Sequence, residues 1–266
     1  MNSLLPKSYR GRFPFRLGTT SYIYPRSYAA NVERLGPWLD EIELLFFESR
    51  PDARPTSAEL KRLVDLAGEF ALRYNIHLPL DLHLGHATAQ VRSAAVETVS
   101  RLIDLTAPLA PTTWTLHLPL DADPARREAV FDWRERILES LYRLIASGIP
   151  PRSVSLENLD YPIEWIYELS RQTGFRMCLD AGHLLIQGGS VPAAYGRYRD
   201  RIDVIHLHGV RNGKDHLSLV ELKAQDSSWI PEQLQTFTGS LSLEVFSYDH
   251  LVTSLDFFEK LWDRNR

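Results

Sequence analysis

The chain has 266 residues, of which 44% are hydrophobic and 24% charged, a composition typical of a globular protein with a sizeable core. The 30 Lys and Arg residues against 34 Asp and Glu residues give a formal net charge of -4, which argues against a surface that binds duplex nucleic acid. A single cysteine, Cys178, excludes a disulfide bond within the chain and fits a reducing compartment.

The sequence gives no sign of secretion or of a membrane span. Its first residues, MNSLLPKSYRGRFPFR, lack the apolar region and the small-residue cleavage site of a signal peptide. No stretch of the chain reaches the ~18 apolar residues that a membrane-spanning helix needs. We therefore expect a cytoplasmic protein whose partner is a small molecule, with no role for a membrane or for nucleic acid.

Short β-rich segments alternate with longer helical patterns along the chain. Strands are predicted at residues 15–21, 41–47, 74–78, 113–118, 153–156, 175–179, 203–207 and 240–245. Helices are predicted at residues 57–72, 88–105, 126–146, 163–172 and near 251–262. This alternation indicates βαβ units, and therefore a parallel sheet.

The number of strands and the chain length favour one architecture. Eight strands, each followed by room for a helix, and a length close to the ~250 residues of one barrel predict a single (β/α)₈ TIM barrel over residues 1–266. Residues 1–14 precede the first strand as an N-terminal extension. An open doubly wound sheet is the main alternative, and the absence of a glycine-rich phosphate loop after the first strand counts against it.

Ionisable residues cluster where the predicted strands end. They are His77, His117, Glu157, Asp180, His206 and Glu244. Catalytic residues of (β/α)₈ barrels come from the carboxyl ends of several strands. Because strand side chains alternate between two faces, Glu157 shares the inner face with Ser155, and Glu244 shares it with Ser242. We expect the acids and imidazoles to meet at the top of the barrel interior, above a layer of small residues.

The pentapeptide HLPLD occurs twice, at residues 77–81 and at residues 117–121. One interpretation is coincidence or a shared way of ending a strand, because proline interrupts the hydrogen bonding of a sheet. The other is that two barrel units present a histidine at the same height.

Carboxylates and imidazoles that converge in one place are costly to bury without a cation. A mixed His, Asp and Glu set suits Zn²⁺, Mn²⁺ or Fe²⁺ better than Mg²⁺ or Ca²⁺. Further candidate ligands are His183, three residues after Asp180, and His216, in a predicted loop. A histidine without such neighbours is more often structural or exposed, and this interpretation applies to His83, His86 and His250.

Other residues near the strand ends are candidates for binding a substrate. Thr20 and Tyr22 end the first strand and are candidates to line the pocket, and the alternative for Tyr22 is that it covers the barrel rim. His208 shares the inner parity of His206. Arg211 and Lys214 either neutralise a phosphate or are exposed loop cations. The sequence leaves open whether Glu43 or Glu48 points inward, and Glu48 is the one that we name as a substrate-binding candidate.

These residues resemble the xylose isomerase-like barrel superfamily, which includes endonuclease IV and many sugar isomerases and epimerases; the resemblance spans residues 15 to about 258. An epimerase site in this superfamily implies one ion held by Glu157, Asp180, His206 and Glu244. The endonuclease IV pattern adds His77, His117 and His183, together with a loop Asp-x-His. In this chain the loop element is compressed to Lys214-Asp215-His216, so His216 transfers more securely than Asp215.

The two patterns differ in the chemistry that they serve. An epimerase needs one ion to polarise a carbonyl and two acids to move a proton. Phosphodiester hydrolysis benefits from two or three ions that activate water and stabilise the departing oxygen. The additional histidines favour the second reaction, with Glu157 and Glu244 as the catalytic carboxylates and two or more divalent ions as cofactors.

Four segments resemble the cobamide-remodelling phosphodiesterases more closely. They read LGTTSYIYP at residues 17–25, ELLFFE at 43–48, HLPLD at 77–81 and LDAGH at 179–183. That family cuts the nucleotide-loop phosphodiester of cobamides, and the resemblance implies the same activity here. The alternatives are a sugar isomerase or epimerase with one ion, an endonuclease IV-like repair nuclease, and a barrel that binds a corrinoid without catalysis.

Overall fold

Eight parallel strands close into a barrel in the computed structural model, which describes residues 4–264. The ten strands are β1 Arg16–Thr20, β2 Glu41–Leu45, β3 Arg73–His77, β4 Trp114–Leu116, β5 Val154–Glu157, β6 Arg176–Asp180, β7 Ile202–Leu207, β8 Gly209–Arg211, β9 Lys214–Leu217 and β10 Ser240–Leu243. The barrel order is β1-β10-β7-β6-β5-β4-β3-β2, with β1 paired to both β10 and β2. The predicted TIM barrel is therefore confirmed, and the open sheet is excluded.

Helices cover the outside of the barrel. They are α1 Tyr28–Leu35, α2 Ser57–Phe70, α3 Ala89–Thr106, α4 Arg127–Ala146, α5 Ile163–Thr173, α6 Ala181–Ile186, α7 Val191–Tyr198, α8 Ala224–Ser227, α9 Trp229–Gln233 and α10 Tyr248–Asp263. The five predicted helices correspond to α2–α5 and α10. The sequence did not reveal α1 or α6–α9, because a helix of eight residues or fewer carries too little periodicity. Within residues 4–264, no helix is long and apolar enough to cross a membrane.

Strands β8 and β9 form an antiparallel hairpin outside the barrel, where the sequence predicted a loop. The turn consists of Asn212 and Gly213, with φ of +53° and +73°. An Asn-Gly pair with positive φ at both positions is the preferred two-residue turn of a hairpin, because its twist matches that of the strands. Residues 214–216 therefore lie on a hydrogen-bonded strand.

The barrel strands are buried on both faces. Apolar side chains such as Leu17, Ile76 and Leu156 point outward and pack under the helices, with no exposed surface. Small polar residues, among them Thr115 and Ser155, fill the interior. The inner positions above them carry the acids and imidazoles, as the strand parity predicted.

The N-terminal segment packs against the barrel domain from Leu5 onward. The side chains of Leu5 and Tyr9 are buried, and the backbone N–H of Tyr9 donates to the carbonyl of Trp38 at 2.9 Å. Phe13 packs edge-to-face on Trp262 of α10, with ring centroids 5.4 Å apart. This described part of the extension is thus attached to the same core as the barrel.

Helix α2 ends on an alanine in the left-handed region, and this strain generates a stability prediction. Ala71 has φ +47°, and its N–H donates to the carbonyl of Ala67. The left-handed conformation costs an L-residue roughly 1–2 kcal/mol, whereas glycine adopts it freely. We expect Ala71→Gly to raise the free energy of unfolding by about 0.5–1 kcal/mol, after the larger entropy of unfolded glycine is subtracted. Urea unfolding measures the change.

The matched control is Ala94→Gly, at an exposed position inside α3. The backbone at position 94 is helical and has no strain for glycine to relieve. Glycine there should therefore lower the free energy of unfolding by about 0.5–1 kcal/mol. Equal destabilisation by both substitutions would contradict the strain at Ala71.

Candidate metal centre

Six acids and imidazoles from neighbouring strand ends converge at the C-terminal mouth of the barrel. They are His77 on β3, His117 just after β4, Glu157 on β5, Asp180 on β6, His206 on β7 and Glu244 just after β10. Five of the six are buried, and His117 is mostly so. The structure therefore brings together the whole set that the sequence placed at the strand ends, and we call this set the ring.

Glu157 lies at the centre of the ring. Its Oε2 atom is 3.2 Å from Nε2 of His77, 3.1 Å from Nε2 of His117 and 3.4 Å from Nδ1 of His206. Three imidazoles from different strands thus approach a single carboxylate oxygen. Glu157 therefore connects the imidazoles of His77 and His117 with that of His206.

The other side of the ring is a compact set of four residues. Ligand atoms of Glu157, Asp180, His206 and Glu244 all lie within 4.8 Å of one another. Nδ1 of His206 is 3.1 Å from Oε2 of Glu244 and 3.9 Å from Oδ2 of Asp180. Three carboxylates and one imidazole in this arrangement have the donor chemistry of a site for a divalent transition metal.

The hydrogen bonding of the ring fits a bound cation. Oε1 of Glu157, Oε2 of Glu244, Nδ1 of His206 and Nε2 of His117 are buried, and among the described residues none has a partner in hydrogen-bonding geometry, although two of the contacts are only 3.1 Å long. A buried polar atom without a partner costs about 1–3 kcal/mol, and more when it is charged. All four atoms belong to the ring, so a divalent ion bound there would satisfy them together. The residues fit Zn²⁺, Mn²⁺ or Fe²⁺.

Glu43 fixes the orientation of His206. Oε1 of Glu43 lies 2.9 Å from Nε2 of His206, and Ser242 donates its hydroxyl to the other carboxylate oxygen at 2.6 Å. The imidazole therefore donates through Nε2 and turns Nδ1 toward the ring, a common support for a metal ligand. Glu43, and not Glu48, is the inward residue. Glu48 is 51% exposed and pairs with Arg50, so the structure does not bring it to the ring.

Backbone carbonyls orient three further histidines. Nδ1 of His77 is 3.0 Å from the carbonyl of the next residue, and Nδ1 of His183 is 3.1 Å from that of Asn158. Nδ1 of His216 is 3.1 Å from the carbonyl of Glu244. A carbonyl can only accept, so each Nδ1 carries a proton, and Nε2 is the nitrogen left to bind an ion once any proton on it has been displaced.

Two residues hold the end of β6, and the sequence pointed to only one of them. Oδ1 of Asp180 accepts from the N–H of His183 at 2.6 Å and so caps α6, which explains the spacing of three residues. The side chain of Asn158 donates to the carbonyl of Asp180 and accepts from its N–H. Sequence reasoning missed Asn158, although its position directly after Glu157 at a strand end was a usable signal.

A second group of histidines lies beside the ring. Nitrogen atoms of His183, His208 and His216 are all within 4.8 Å of one another. We call these residues the outer group. Asp215 does not belong to it; its side chain lines a neighbouring cavity instead. The position of His216 on β9 brings it to the site without the spacer that the loop pattern of endonuclease IV has.

That cavity, of about 370 Å³, opens next to the ring. Its lining comprises His117, Leu159, Asp160, His183, Ile186, Gln187 and Asp215. His117 of the ring and His183 of the outer group thus line the same cavity as the aliphatic residues Leu159 and Ile186. The wall of the cavity is therefore partly apolar beside the candidate ligands.

Aromatic side chains occupy the opposite side of the mouth. Tyr22 contacts Phe47 edge-to-face at 4.6 Å, and Phe47 lies 6.0 Å from Phe246. The ring of Phe246 is in turn 4.8 Å from His216. Tyr22 is 47% exposed. These rings form an accessible aromatic edge that runs up to the outer group.

Three predicted substrate-binding residues have other partners or are exposed. Thr20 is buried, and its hydroxyl donates to the carbonyl of Val245 at 3.0 Å. Arg211 is 65% exposed and pairs with Glu221 at 2.8 Å, while Lys214 is exposed at the start of β9. Arg211 and Lys214 are thus exposed, whereas the hydroxyl of Thr20 is bonded to the residue next to Glu244.

Charge compensation within the ring shifts the acidity of its carboxylates. Burial raises the pKa of Glu157, but His117 and His206 outweigh it and hold that pKa well below its usual value. Burial also raises the pKa of Glu244, and His206 again lowers it below the usual value. The carboxylates are therefore charged at neutral pH and available as ligands.

Comparison with known proteins places this geometry in context. The family model of xylose isomerase-like TIM barrels matches residues 29–261. Similar solved structures include a D-tagatose 3-epimerase-like protein, with a TM-score of 0.76, 17% identity and coverage of 94% of this chain and 98% of that one. D-psicose 3-epimerase from Clostridium cellulolyticum H10 gives a TM-score of 0.73 and 14% identity over 93% and 99% of the two chains.

A nuclease is among the similar structures as well. Endonuclease IV from Thermus thermophilus has a TM-score of 0.68 and 18% identity, with coverage of 94% of this chain and 99% of that one. No curated protein matches the chain. At such low identities these similarities establish the fold and leave the reaction undecided.

Proton release on ion binding is a testable consequence of the histidine environment. Burial lowers the pKa of His183, but Asp180, Glu157 and Glu244 outweigh it and raise the pKa to about 9 in the ion-free protein. Below that pH an ion must displace a proton from His183, so we expect the affinity to fall as the pH is lowered from about 9. Zinc titration calorimetry at neutral pH, in buffers of different ionisation enthalpy, counts the protons released.

The matched variants are His183→Ala and His250→Ala. The first should release fewer protons per ion, and the second should behave as the wild type. Heats that are independent of the buffer in the wild-type protein would contradict a protonated His183.

Proposed function

The chain belongs to the family of xylose isomerase-like TIM barrels, and from the arrangement of its ligands we propose that it is a metal-dependent phosphodiesterase that acts on a small molecule. One observation carries the proposal. Glu157 belongs both to the set of four with Asp180, His206 and Glu244 and to a second set with His77 and His206. A carboxylate shared by two sets of donors is suited to hold two ions side by side.

The donors exceed what a single ion uses. After the set of four is satisfied, Nε2 of His77 and Nε2 of His117 still face Oε2 of Glu157. The imidazoles of His183 and His216 add two more donors beside the ring, with Nδ1 of His183 3.6 Å from Oδ2 of Asp180 and Nδ1 of His216 3.9 Å from Oε2 of Glu244. This surplus supports a centre with two or more ions, and surplus histidines of this kind have no task in a reaction with one ion.

Hydrolysis of a phosphodiester suits such a centre. Divalent ions bound there would lower the pKa of water and neutralise charge on the attacking and leaving oxygens. Glu157 and Glu244 would hold the ions through charged oxygens, and Glu43 orients His206 by accepting from its Nε2. Asn158 fixes the backbone of Asp180, so the ligands are ordered before a substrate arrives.

A cobamide is the substrate that we propose. The resemblance of the segments 17–25, 43–48, 77–81 and 179–183 to cobamide-remodelling phosphodiesterases is the primary reason. The mouth is also compatible with a phosphate between two bulky apolar groups, since Leu159 and Ile186 line one side and Tyr22 and Phe246 the other. The net charge of -4 favours a small substrate over DNA.

A sugar epimerase is the second candidate function. The set of Glu157, Asp180, His206 and Glu244 is by itself sufficient for one ion. Its two glutamates approach His206 from different strands, and a pair of carboxylates can move a proton from one face of a carbon to the other. The similar structures described as epimerases add weight to this candidate.

Turnover of an intact cobamide by purified protein tests the proposal directly. We expect water to be added across the phosphodiester, giving a phosphorylated corrinoid and an intact riboside by mass spectrometry. A chelator should abolish the reaction, and added Zn²⁺, Mn²⁺ or Fe²⁺ should restore it. Absence of turnover with each of these ions would refute the cobamide assignment, and exchange of the α-proton of ketoses would then favour the epimerase.

Replacement of His77 or His117 by alanine separates the two candidates. If both histidines hold an ion next to Glu157, each variant should bind one ion fewer per chain and lose at least about 100-fold in kcat/KM. Ion content by plasma mass spectrometry and kinetics measure the two effects. His250→Ala, outside the ring, serves as the control with unchanged values. Full ion content in both histidine variants would contradict the two-ion centre.

A further inference from the structure

The outer group looks by distance alone like a complete site for one ion, since the nitrogens of His183, His208 and His216 are within 4.8 Å of one another. The hydrogen bonds of His208 assign it another role. We propose that His208 is a positioning residue and not a metal ligand, and that its imidazole connects Asp180 in the ring to the backbone of the hairpin that carries His216. The inference rests on the metal centre of the proposed function.

The protons on His208 follow from its two partners. The backbone N–H of His216 lies 3.0 Å from Nδ1 of His208 and can only donate, so Nδ1 is an unprotonated acceptor. The proton of the neutral ring is then on Nε2, which lies 3.2 Å from both carboxylate oxygens of Asp180. Both nitrogens are occupied by hydrogen bonds, and neither offers a lone pair to an ion.

The sequence around Asp180 makes room for this imidazole. A Cβ atom built on Gly182 would lie 1.9 Å from Cε1 and 2.4 Å from Nδ1 of His208. Any side chain at position 182 would therefore push the ring out of reach of Asp180. The absence of a side chain at Gly182 therefore lets the imidazole of His208, directly after β7, lie against the first turn of α6.

The contact with His208 holds a strained residue in place. His216 has φ +50°, a left-handed conformation that costs an L-residue roughly 1–2 kcal/mol. Its N–H is anchored on His208, and its Nδ1 donates to the carbonyl of Glu244. With backbone and ring both fixed, Nε2 of His216 is the atom left to face an ion.

An ion in the outer group would then have two histidine ligands from this group. His183 and His216 lie with ring centroids 6.0 Å apart, and because Nδ1 of each donates to a carbonyl, Nε2 is the nitrogen that an ion would bind. The remaining coordination positions would be open to water or to an oxygen of the substrate, as in catalytic rather than structural sites. His208 affects this site indirectly, because it fixes the position of His216.

Nuclear magnetic resonance of isotope-labelled histidine tests the proton assignment. In the ion-free wild type, His208 should show the tautomer with the proton on Nε2. On titration with NMR-active cadmium, Nε2 of His183 and of His216 should couple to the metal, while both nitrogens of His208 should not. Cadmium coupling at His208, or a proton on its Nδ1, would overturn the proposal.

Two substitutions test the positioning role by a count of bound ions. His208→Asn keeps an acceptor at the place of Nδ1, so His216 should stay anchored and the weakest ion should bind as in the wild type. His208→Ala removes that acceptor, and the dissociation constant of the weakest ion should rise about 10–100-fold. Addition of His216→Ala to His208→Ala should cause no further loss. Equal loss in the asparagine and alanine variants would show that His208 is a ligand and refute the proposal.

The readouts separate this inference from the proposed reaction. The tautomer of His208 and the number of bound ions are measured without turnover. Both measurements therefore remain valid if the protein does not hydrolyse a phosphodiester. If none of Zn²⁺, Mn²⁺ and Fe²⁺ binds, the proposed function is wrong, and the proton on His208 in the ion-free protein still decides the hydrogen-bond assignment. Circular dichroism of each variant confirms that the barrel has folded.

Discussion

The mutual repulsion of buried carboxylates is the constraint on which this structure depends. Glu157, Asp180 and Glu244 lie within a few ångströms of one another at the top of the barrel. Such a set is stable only when positive charge is present in the same space, as protons on the histidines or as bound cations. The fold provides for both, because imidazoles surround the acids. The protonation of the histidines and the binding of ions therefore compensate the same buried negative charge.

Much of the fold and of the ring follows from the strand pattern. Glu157 could be placed because alternation along a strand fixes its face and barrels use the carboxyl ends of strands. The choice between Glu43 and Glu48 could not be made, because β2 ends at Leu45 and the parity of position 48 no longer applies. Asn158 was missed because it acts through hydrogen bonds to the backbone of a neighbouring strand, and such bonds leave no periodic signal.

The similarity of this barrel to both epimerases and a nuclease has a physical basis. The set of four ligands centred on His206 is sufficient for one ion, and the barrel that presents it is the same for either reaction. Under the proposed function, the reactions are distinguished by residues added around this set, such as His77, His117 and His216. A few side chains at the rim thus carry more information about the chemistry than the superposition of the whole backbone.

The hairpin β8–β9 lies outside the closed sheet and has consequences for the evolution of such barrels. His216 reaches the site from this hairpin, whereas the ring residues come from barrel strands or from the residue directly after one. Insertions or deletions near Asn212 and Gly213 would move His216 without altering the register of the barrel. A lineage could therefore gain or lose an outer ligand while its core stays intact, so that new reactions arise on an old scaffold at small cost in stability.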